Sequence, residues 1–207
     1  MEIELKYLIE DKAVIDQIFA DPYLSSIKDE KTEEKMEMHA VYFDTEDRRL
    51  YREGIAFRVR KEGTRIVGTL KWNGSSEDGM HKREEINVPV SDEEKLRTPD
   101  IQIFSQSEMC EVLRQVVGHR TLIPVMDICF TRRQVRVDTG KSISELSVDI
   151  GQVVCGGKTA PISEMEIELY SGEEGDFLAL GKKIAEKYQL KPEDTSKYKR
   201  GLDLMQQ

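Results

Sequence analysis

Glu2, Glu4 and Lys6 alternate with Ile3, Leu5 and Tyr7 at the start of the chain. A β-strand there carries two acids and a base on one face and apolar side chains on the other. The same separation recurs along the chain. Arg58 and Arg60 oppose Phe57 and Val59, Thr69 and Lys71 oppose Leu70 and Trp72, and Arg83, Glu85 and Asn87 oppose Ile86 and Val88. Arg132, Gln134 and Arg136 oppose Val135 and Val137, Glu145, Ser147 and Asp149 oppose Leu146, Val148 and Ile150, and Glu164, Glu166 and Glu168 oppose Met165, Ile167 and Leu169. Some of these polar faces are nearly pure base and others nearly pure acid. Three glutamates on one strand face repel one another unless something positive sits among them. Mg2+ and Mn2+ take carboxylate oxygens, and clustered Arg and Lys take phosphate or carboxylate. Glu2, Glu4, Asp149, Glu164, Glu166 and Glu168, set against Arg58, Arg60, Lys71 and Arg132, therefore describe a site for a metal-bound polyphosphate. A closed barrel with a charged interior would hold them, its apolar outer face covered by helices.

The elements that must position these residues follow from periodicity and turn residues. After the first strand, Asp11 to Phe19 reads as a short helix with Val14, Ile15, Ile18 and Phe19 on one face, ended by Asp21-Pro22. KDEKTEEKME reads as the exposed start of a strand that turns apolar at HAVYFDT, and EDRRLYREG as one helical turn or a tight loop, closing at Gly54. IAFRVRKEG and TRIVGTLKW form a hairpin turning at Glu62-Gly63, and NGSSEDG reads as a loop before the strand KREEINVPV. Phe104 to Val117 reads as a helix, followed by the strands DICFTRRQVRVD, SISELSVDIGQVV and ISEMEIELYSG. Glu173 to Tyr188 is an amphipathic helix, most simply a cover for the barrel, and KPEDTSKYKRGL follows it. With no clean linker and no repeat, residues 1–207 read as one α+β domain in which about eight antiparallel strands dominate.

Bulk properties narrow the function. Charged residues make up 34% of the 207, and that much charge needs a home. A net charge of -9 argues against general nucleic-acid binding, which wants a basic surface. No apolar run approaches a membrane span, and the first strand begins at residue 2, which leaves no room for a signal peptide. Cys110, Cys129 and Cys155 have no metal-type spacing and fit reduced thiols in a cytoplasm. His39, His81 and His119 are scattered, so no histidine-based metal site is expected.

The chain resembles the CYTH domain, or triphosphate tunnel metalloenzyme, superfamily. EIELK matches its ExExK signature at Glu2, Glu4 and Lys6. YFDT at 42–45, AFRVRKEG at 56–63, TLK at 69–71, REE at 83–85, TRR at 131–133, SVDIG at 147–151, EMEIELYSG at 164–172 and SKYKRGL at 196–202 follow in the family's order, so the resemblance covers essentially the whole chain. It implies an α+β fold built on an eight-stranded antiparallel closed β-barrel, a tunnel lined by charge with helices packed outside. It also implies dependence on Mg2+ or Mn2+ and a small-molecule triphosphate as substrate. Carried over residue by residue, Glu2, Glu4, Glu166 and Glu168 would be metal ligands. Asp149 and Glu164 would help at a second metal or orient water. Arg58, Arg60, Lys71 and Arg132 would hold phosphate oxygens, Lys6 would reach a phosphate or the nucleophilic water, and Lys197 would close on the phosphates. Arg83 and Glu85 match a lining pair. Phe130 departs from the pattern, since members often have a base two before the Arg132 position; one phosphate contact is either lost or supplied by Arg136.

The resemblance implies hydrolysis of inorganic triphosphate as first choice, with a class IV-type adenylate cyclase or a thiamine triphosphatase as the nearest rivals. A non-catalytic polyphosphate or nucleotide sensor would keep the bases and lose the metal ligands, and here the expected acids are present. The helical, histidine-rich module of larger bacterial relatives is not expected after SKYKRGL. Monomer and homodimer both stay open. Among decoys, GGKT at 156–159 lacks the earlier glycine of a phosphate-binding P-loop and reads as a hairpin turn. Asp44 reads as a capping or turn residue rather than a metal ligand, Trp72 as packing under a helix rather than stacking on a base, and His81 as a loop-edge residue rather than a catalyst.

Overall fold

The computed structural model describes residues 1–206. The strands are β1 (Glu2–Leu8), β2 (Glu34–Thr45), β3 (Ala56–Glu62), β4 (Arg65–Glu77), β5 (Met80–Pro89), β6 (Leu122–Asp138), β7 (Ser142–Cys155), β8 (Lys158–Gly172) and the two-residue β9 (Lys191–Pro192). They run in the order β5-β4-β3-β2-β6-β7-β8-β1-β9, and a further β1–β5 pairing closes β1 to β8 into an antiparallel barrel of eight strands. Closure leaves no long edge strand open. The helices are α1 (Val14–Phe19), α2 (Pro22–Ile27), α3 (Arg49–Arg52), α4 (Cys110–Val117), α5 (Glu174–Tyr188) and α6 (Lys197–Gln206). No helix among the described residues is long and apolar enough to cross a membrane.

Strand alternation sends the apolar faces outward, where helices cover them. Leu5, Tyr7, Leu146, Val148, Met165 and Ile167 pack under Phe177, Leu180 and Ile184 of α5 and under Ile18, Phe19 and Leu24 of α1 and α2. On the other side, Val59, Leu70 and Phe57 meet Phe104, Leu113 and Val117, with the Phe57 and Phe104 rings edge to face at 5.2 Å. A third cluster lies inside the barrel. Met38, Ala40 and Tyr42 of β2, Met126, Ile128 and Phe130 of β6, Val153 and Ile162 are joined by Leu202 and Leu204 of α6. The expected interior, charged throughout, is therefore charged on one wall and apolar on the other, and α6 stops the apolar end.

Several boundaries differ from the sequence reading for local reasons. Asp21 does not simply end α1; its carboxylate accepts the amides of Tyr23 and Leu24 and caps α2, with Pro22 at the first helical position. A 3-10 turn at Glu30–Thr32 precedes β2, which starts only at Glu34. NGSSEDG is not a loop: β4 runs on to Glu77 through a bulge between Trp72 and Ser75, where Asn73 takes φ +51°. The long helix read from Phe104 is a 3-10 turn, Ile101–Phe104, followed by the shorter α4. Gly156-Gly157 does make the β7–β8 hairpin turn, with φ +57° and +79°. Trp72 is half-buried against the helix-covered cluster, and Asp44 accepts the amides of Thr45, Leu50 and Tyr51, which caps α3.

Candidate active site

Sheet register builds the site. Lys6 of β1 lies across from Glu166 of β8, Glu4 from Glu168, and Leu8 from Glu164. Asp149 of β7 sits between Glu164 on one side and Arg132 of β6 on the other. Glu2 lies across from Arg83, and Lys71 from Glu85. Glu2, Glu4, Lys6, Arg58, Arg60, Lys71, Arg83, Glu85, Arg132, Glu166, Glu168 and Lys197 all line one cavity of about 380 Å³. Asp149 and Glu164 lie just behind them, with no exposed surface.

The deeper acids are well compensated. Asp149, Glu164 and Glu166 present oxygens within 4.8 Å of one another. The Lys197 ammonium lies 2.6 Å from Asp149, 2.6 Å from Glu164 and 2.7 Å from Glu166. Arg132 grips Asp149 through two bonds of 2.7 and 2.6 Å and reaches Glu166 at 2.6 Å. Lys6 stands 2.5 Å from Glu166 and 3.3 Å from Glu164, and Arg200 stands 3.0 Å from Glu164. Burial opposes the Lys6 charge, but Glu164, Glu166 and Glu4 overcome it and hold the ammonium well above its ordinary value. Burial likewise opposes ionisation of Glu164, yet Lys197 and Lys6 bring it down to about 2. Three carboxylates thus face four cations.

The acids nearer the cavity are under-compensated. Glu2 is held by Lys71 at 3.1 Å and Arg83 at 2.5 Å, and Glu85 also binds Lys71. Glu4 has only longer contacts, 3.3 Å to Lys6 and 3.5 Å to Arg83, and its Oε1 is inaccessible with no hydrogen-bond partner. Glu168 stands between Glu4 on β1 and Glu145 on β7, like charges directly opposed in both ladders. Burial, then Glu2, Glu4 and Glu85, push its carboxyl up to about 8. Glu2 and Glu85 share Lys71, Glu2 and Glu4 share Arg83, and Glu168 makes no ion pair among the described residues. This donor set, all carboxylate, with a buried oxygen of Glu4 that has no hydrogen-bond partner and a Glu168 carboxyl raised by its acidic neighbours, has the chemistry of a hard divalent cation site.

The opposite wall is basic. Arg58 gives Nη2 to Thr69 at 2.9 Å, while its buried Nε has no partner, and Arg60 is bonded to Glu62 at 2.7 Å. Burial raises the Tyr42 phenol, but Arg58, Lys71 and Arg83 outweigh it and bring the group below its ordinary value, which marks an excess of positive potential. An anion with several oxygens would satisfy both the field and the orphan donor.

Apart from Arg136, the expected site residues lie in the tunnel or directly behind its wall. Arg136 is a correction: it is exposed and lies over the Tyr170 ring at 5.8 Å, so it does not replace the base missing at Phe130. Phe130 instead faces the cations, 5.1 Å from the Lys197 ammonium and 5.6 Å from the Arg132 guanidinium. His81 is also a correction. It is a buried residue of β5 bonded to the Glu193 carbonyl at 2.8 Å, and so ties the C-terminal segment to the barrel. Sequence reading missed Glu62 and Arg200. Both had a signal: Glu62 continues the Arg58, Arg60 parity, and Arg200 lies one helical turn after Lys197.

The chain belongs to the CYTH domain family, whose sequence profile matches residues 1–202. It is 29% identical over 160 residues to a protein of Haemophilus influenzae named inorganic triphosphatase, a match covering 77% of this chain and 44% of that one. The chain thus spans less than half the length of this curated relative. Among solved structures it is similar to a Hippeastrum protein described as an adenylyl cyclase with a dominant triphosphatase activity, at 19% identity and TM-score 0.70, covering 96% of this chain and 93% of that one. It is also similar to the RNA triphosphatase domain of a mimivirus mRNA capping enzyme, at 12% identity and TM-score 0.51, covering 88% of each. These two likenesses concern the fold.

Proposed function

We propose that the tunnel is a divalent-metal-dependent triphosphatase that cleaves the terminal anhydride of inorganic triphosphate, with residues 1–207 acting as one domain in the cytoplasm. The observation that carries this reading is the division of charge: under-compensated acids at Glu4 and Glu168 face a basic wall with an orphaned Arg58 donor. Mg2+ or Mn2+ would be held by Glu2, Glu4 and Glu168, where it would supply charge neutralisation at the phosphate oxygens, while both oxygens of Glu166 are taken by Lys6, Lys197 and Arg132. Arg58, Arg60, Lys71 and Arg132 bind and orient the phosphates, their positions fixed before substrate arrives. Lys6, its ammonium held charged by three glutamates, donates to a phosphate oxygen or to the attacking water. Glu164, held near 2, and Asp149, gripped by Arg132, act as acceptors that fix Lys6, Lys197 and Arg132 in place rather than taking the proton themselves.

The curated relative named as an inorganic triphosphatase supports this substrate. One observation favours a second reading. Met36, Met38, Ala40, Ile128 and Phe130 form an apolar wall in the same cavity, opposite the charges. That wall suits an organic triphosphate, as in an adenylate cyclase or a thiamine triphosphatase. Phosphate release with Mg2+ or Mn2+ across triphosphate, ATP, thiamine triphosphate and pyrophosphate, with cyclic AMP assayed alongside, separates the two. Triphosphate should give the highest kcat/KM and pyrophosphate little turnover; cyclic AMP from ATP with triphosphate inert would overturn the first reading.

A further inference from the structure

The basic wall carries one acid. β3 sets Arg58, Arg60 and Glu62 on one face, each about 7 Å further along the strand, and all three line the cavity. The two ends of that cavity differ. At the Arg58 end α6 stops the barrel, with Tyr198 stacked on Tyr42 at 4.9 Å and Leu202 and Leu204 buried. At the Glu62 end the antiparallel order gathers Arg65, Asn87, Gln134, Glu145 and Tyr170, of which Arg65, Asn87 and Tyr170 are exposed. This second end is the mouth. A linear phosphate chain enters there and runs inward toward Lys197.

The two arginines of this wall are met differently. Arg58, the inner one, bonds only the Thr69 hydroxyl, and its buried Nε has no partner. Arg60, the outer one, gives both Nε, at 2.7 Å, and Nη2 to Oε1 of Glu62. Nη1 is the nitrogen left for an outside anion, so the side-on, two-bond grip that a guanidinium offers phosphate is taken. The other Glu62 oxygen lies 3.4 Å from Arg65. Burial opposes the Glu62 charge, but Arg60, Arg58 and Arg65 outweigh it and hold the carboxyl below its ordinary value, so it is ionised at neutral pH. Glu145 lines the same end from β7.

We propose that Glu62 selects the length of the phosphate chain: it occupies Arg60 and sets a fixed negative charge at the mouth, so that a triphosphate lies wholly inside it and a fourth phosphate would have to lie against it. Glu62 is thus a specificity-determining residue, and its role rests on the triphosphatase reading given above. An acid that merely holds Arg60 in place predicts another result on removal, an equal loss for chains of every length.

The test compares linear triphosphate and linear tetraphosphate, each with Mg2+, by kcat/KM and by the calorimetric affinity of the two chains. The wild type should favour triphosphate by about tenfold or more. Glu62→Gln and Glu62→Ala should each raise the tetraphosphate-to-triphosphate ratio about tenfold. Glu93→Gln, which removes an exposed partner of Lys61 outside the tunnel, should leave the ratio as it is. A wild type that treats the two chains alike, or an unchanged or lowered ratio in both Glu62 variants, would overturn the proposal. If the variants fold but no longer turn over, the ratio of affinities decides by the same criterion; if neither folds, Glu62 is a structural partner and the proposal fails. A wild type that cleaves neither chain would overturn the triphosphatase reading instead, a result distinguishable from these.

Discussion

Glu168 stands opposite Glu4 in one ladder and Glu145 in the next, and its carboxyl is pushed up to about 8. A carboxyl whose pKa is higher in the folded state weakens the fold as pH rises from its ordinary value, 4.5, toward 8. Glu168→Gln should therefore stabilise the metal-free protein at pH 8, by about 1–3 kcal/mol after allowing for its partial exposure. The gain should fade as pH falls toward 4.5. The same variant should need more Mn2+ for activity. Parallel melting curves for the two proteins across this pH range would show that Glu168 is not crowded. On the basic wall, Arg58→Ala should lower kcat/KM for triphosphate by about a hundredfold or more, since it removes a charged donor aimed into the cavity. Arg136→Ala, outside the tunnel, should leave turnover unchanged. The faces of these residues were legible from alternation alone. Which acid meets which base was not, because pairing depends on register between strands far apart in the chain, as with Lys6 and Glu166.

At the scale of elements, α2 is anchored by a single buried carboxylate. Asp21 accepts from the amides of Tyr23 and Leu24 and from Lys187 and Tyr188 of α5, at 2.5 and 2.6 Å. Burial opposes its charge, but the Lys187 and Tyr188 bonds bring it down to about 2. The stability it adds is complete above its unfolded value, 3.8, and is lost as pH falls through about 2. Asp21→Ala should cost about 1–2 kcal/mol at pH 7, with the difference from wild type closing in acid; chemical denaturation at several pH values checks this. Between β6 and β7, a Cβ on Gly151 would lie 2.1 Å from the Cys129 carbonyl oxygen and 2.5 Å from the Phe130 Cα. Gly151→Ala should then part these strands, at a cost of about 3 kcal/mol or more, and weaken the Arg132–Asp149 grip beside them. The apolar wall on β2 escaped sequence reading for a plain reason. From Ala40 to Phe43 both faces of the strand are apolar, so alternation cannot tell inside from outside. The shared edge of α6 escaped because KPEDTSKYKRGL opens with no strong helical pattern.

For the whole molecule, substrate and metal should act as a clamp. A ligand that binds only the folded state at a hundred times its Kd adds about 2.7 kcal/mol, and for a chain of this size each kcal/mol moves Tm by about 2–4 °C. Triphosphate with Mn2+ should thus raise Tm by about 5–10 °C, and Lys6→Ala should shrink that rise; an unchanged rise would remove Lys6 from the site. The barrel itself, with charge inside and helices outside, was readable because each strand segregates its faces, while its closure was not, since nothing local marks β1 as the partner of β5. That closure bears on how the chain acquires its shape over time. β1 is made first, yet its ladder partners are β5, β8 and β9. Lys6 and Glu166 are 160 residues apart. A ribosome releasing the chain from its N-terminus would leave the first strand waiting, its acids unpaired, until β8 and α6 emerge. Long-range pairing of this kind is slow, typically milliseconds to seconds in small β-proteins. A growing chain therefore has no complete tunnel wall before β8 and α6 have been made.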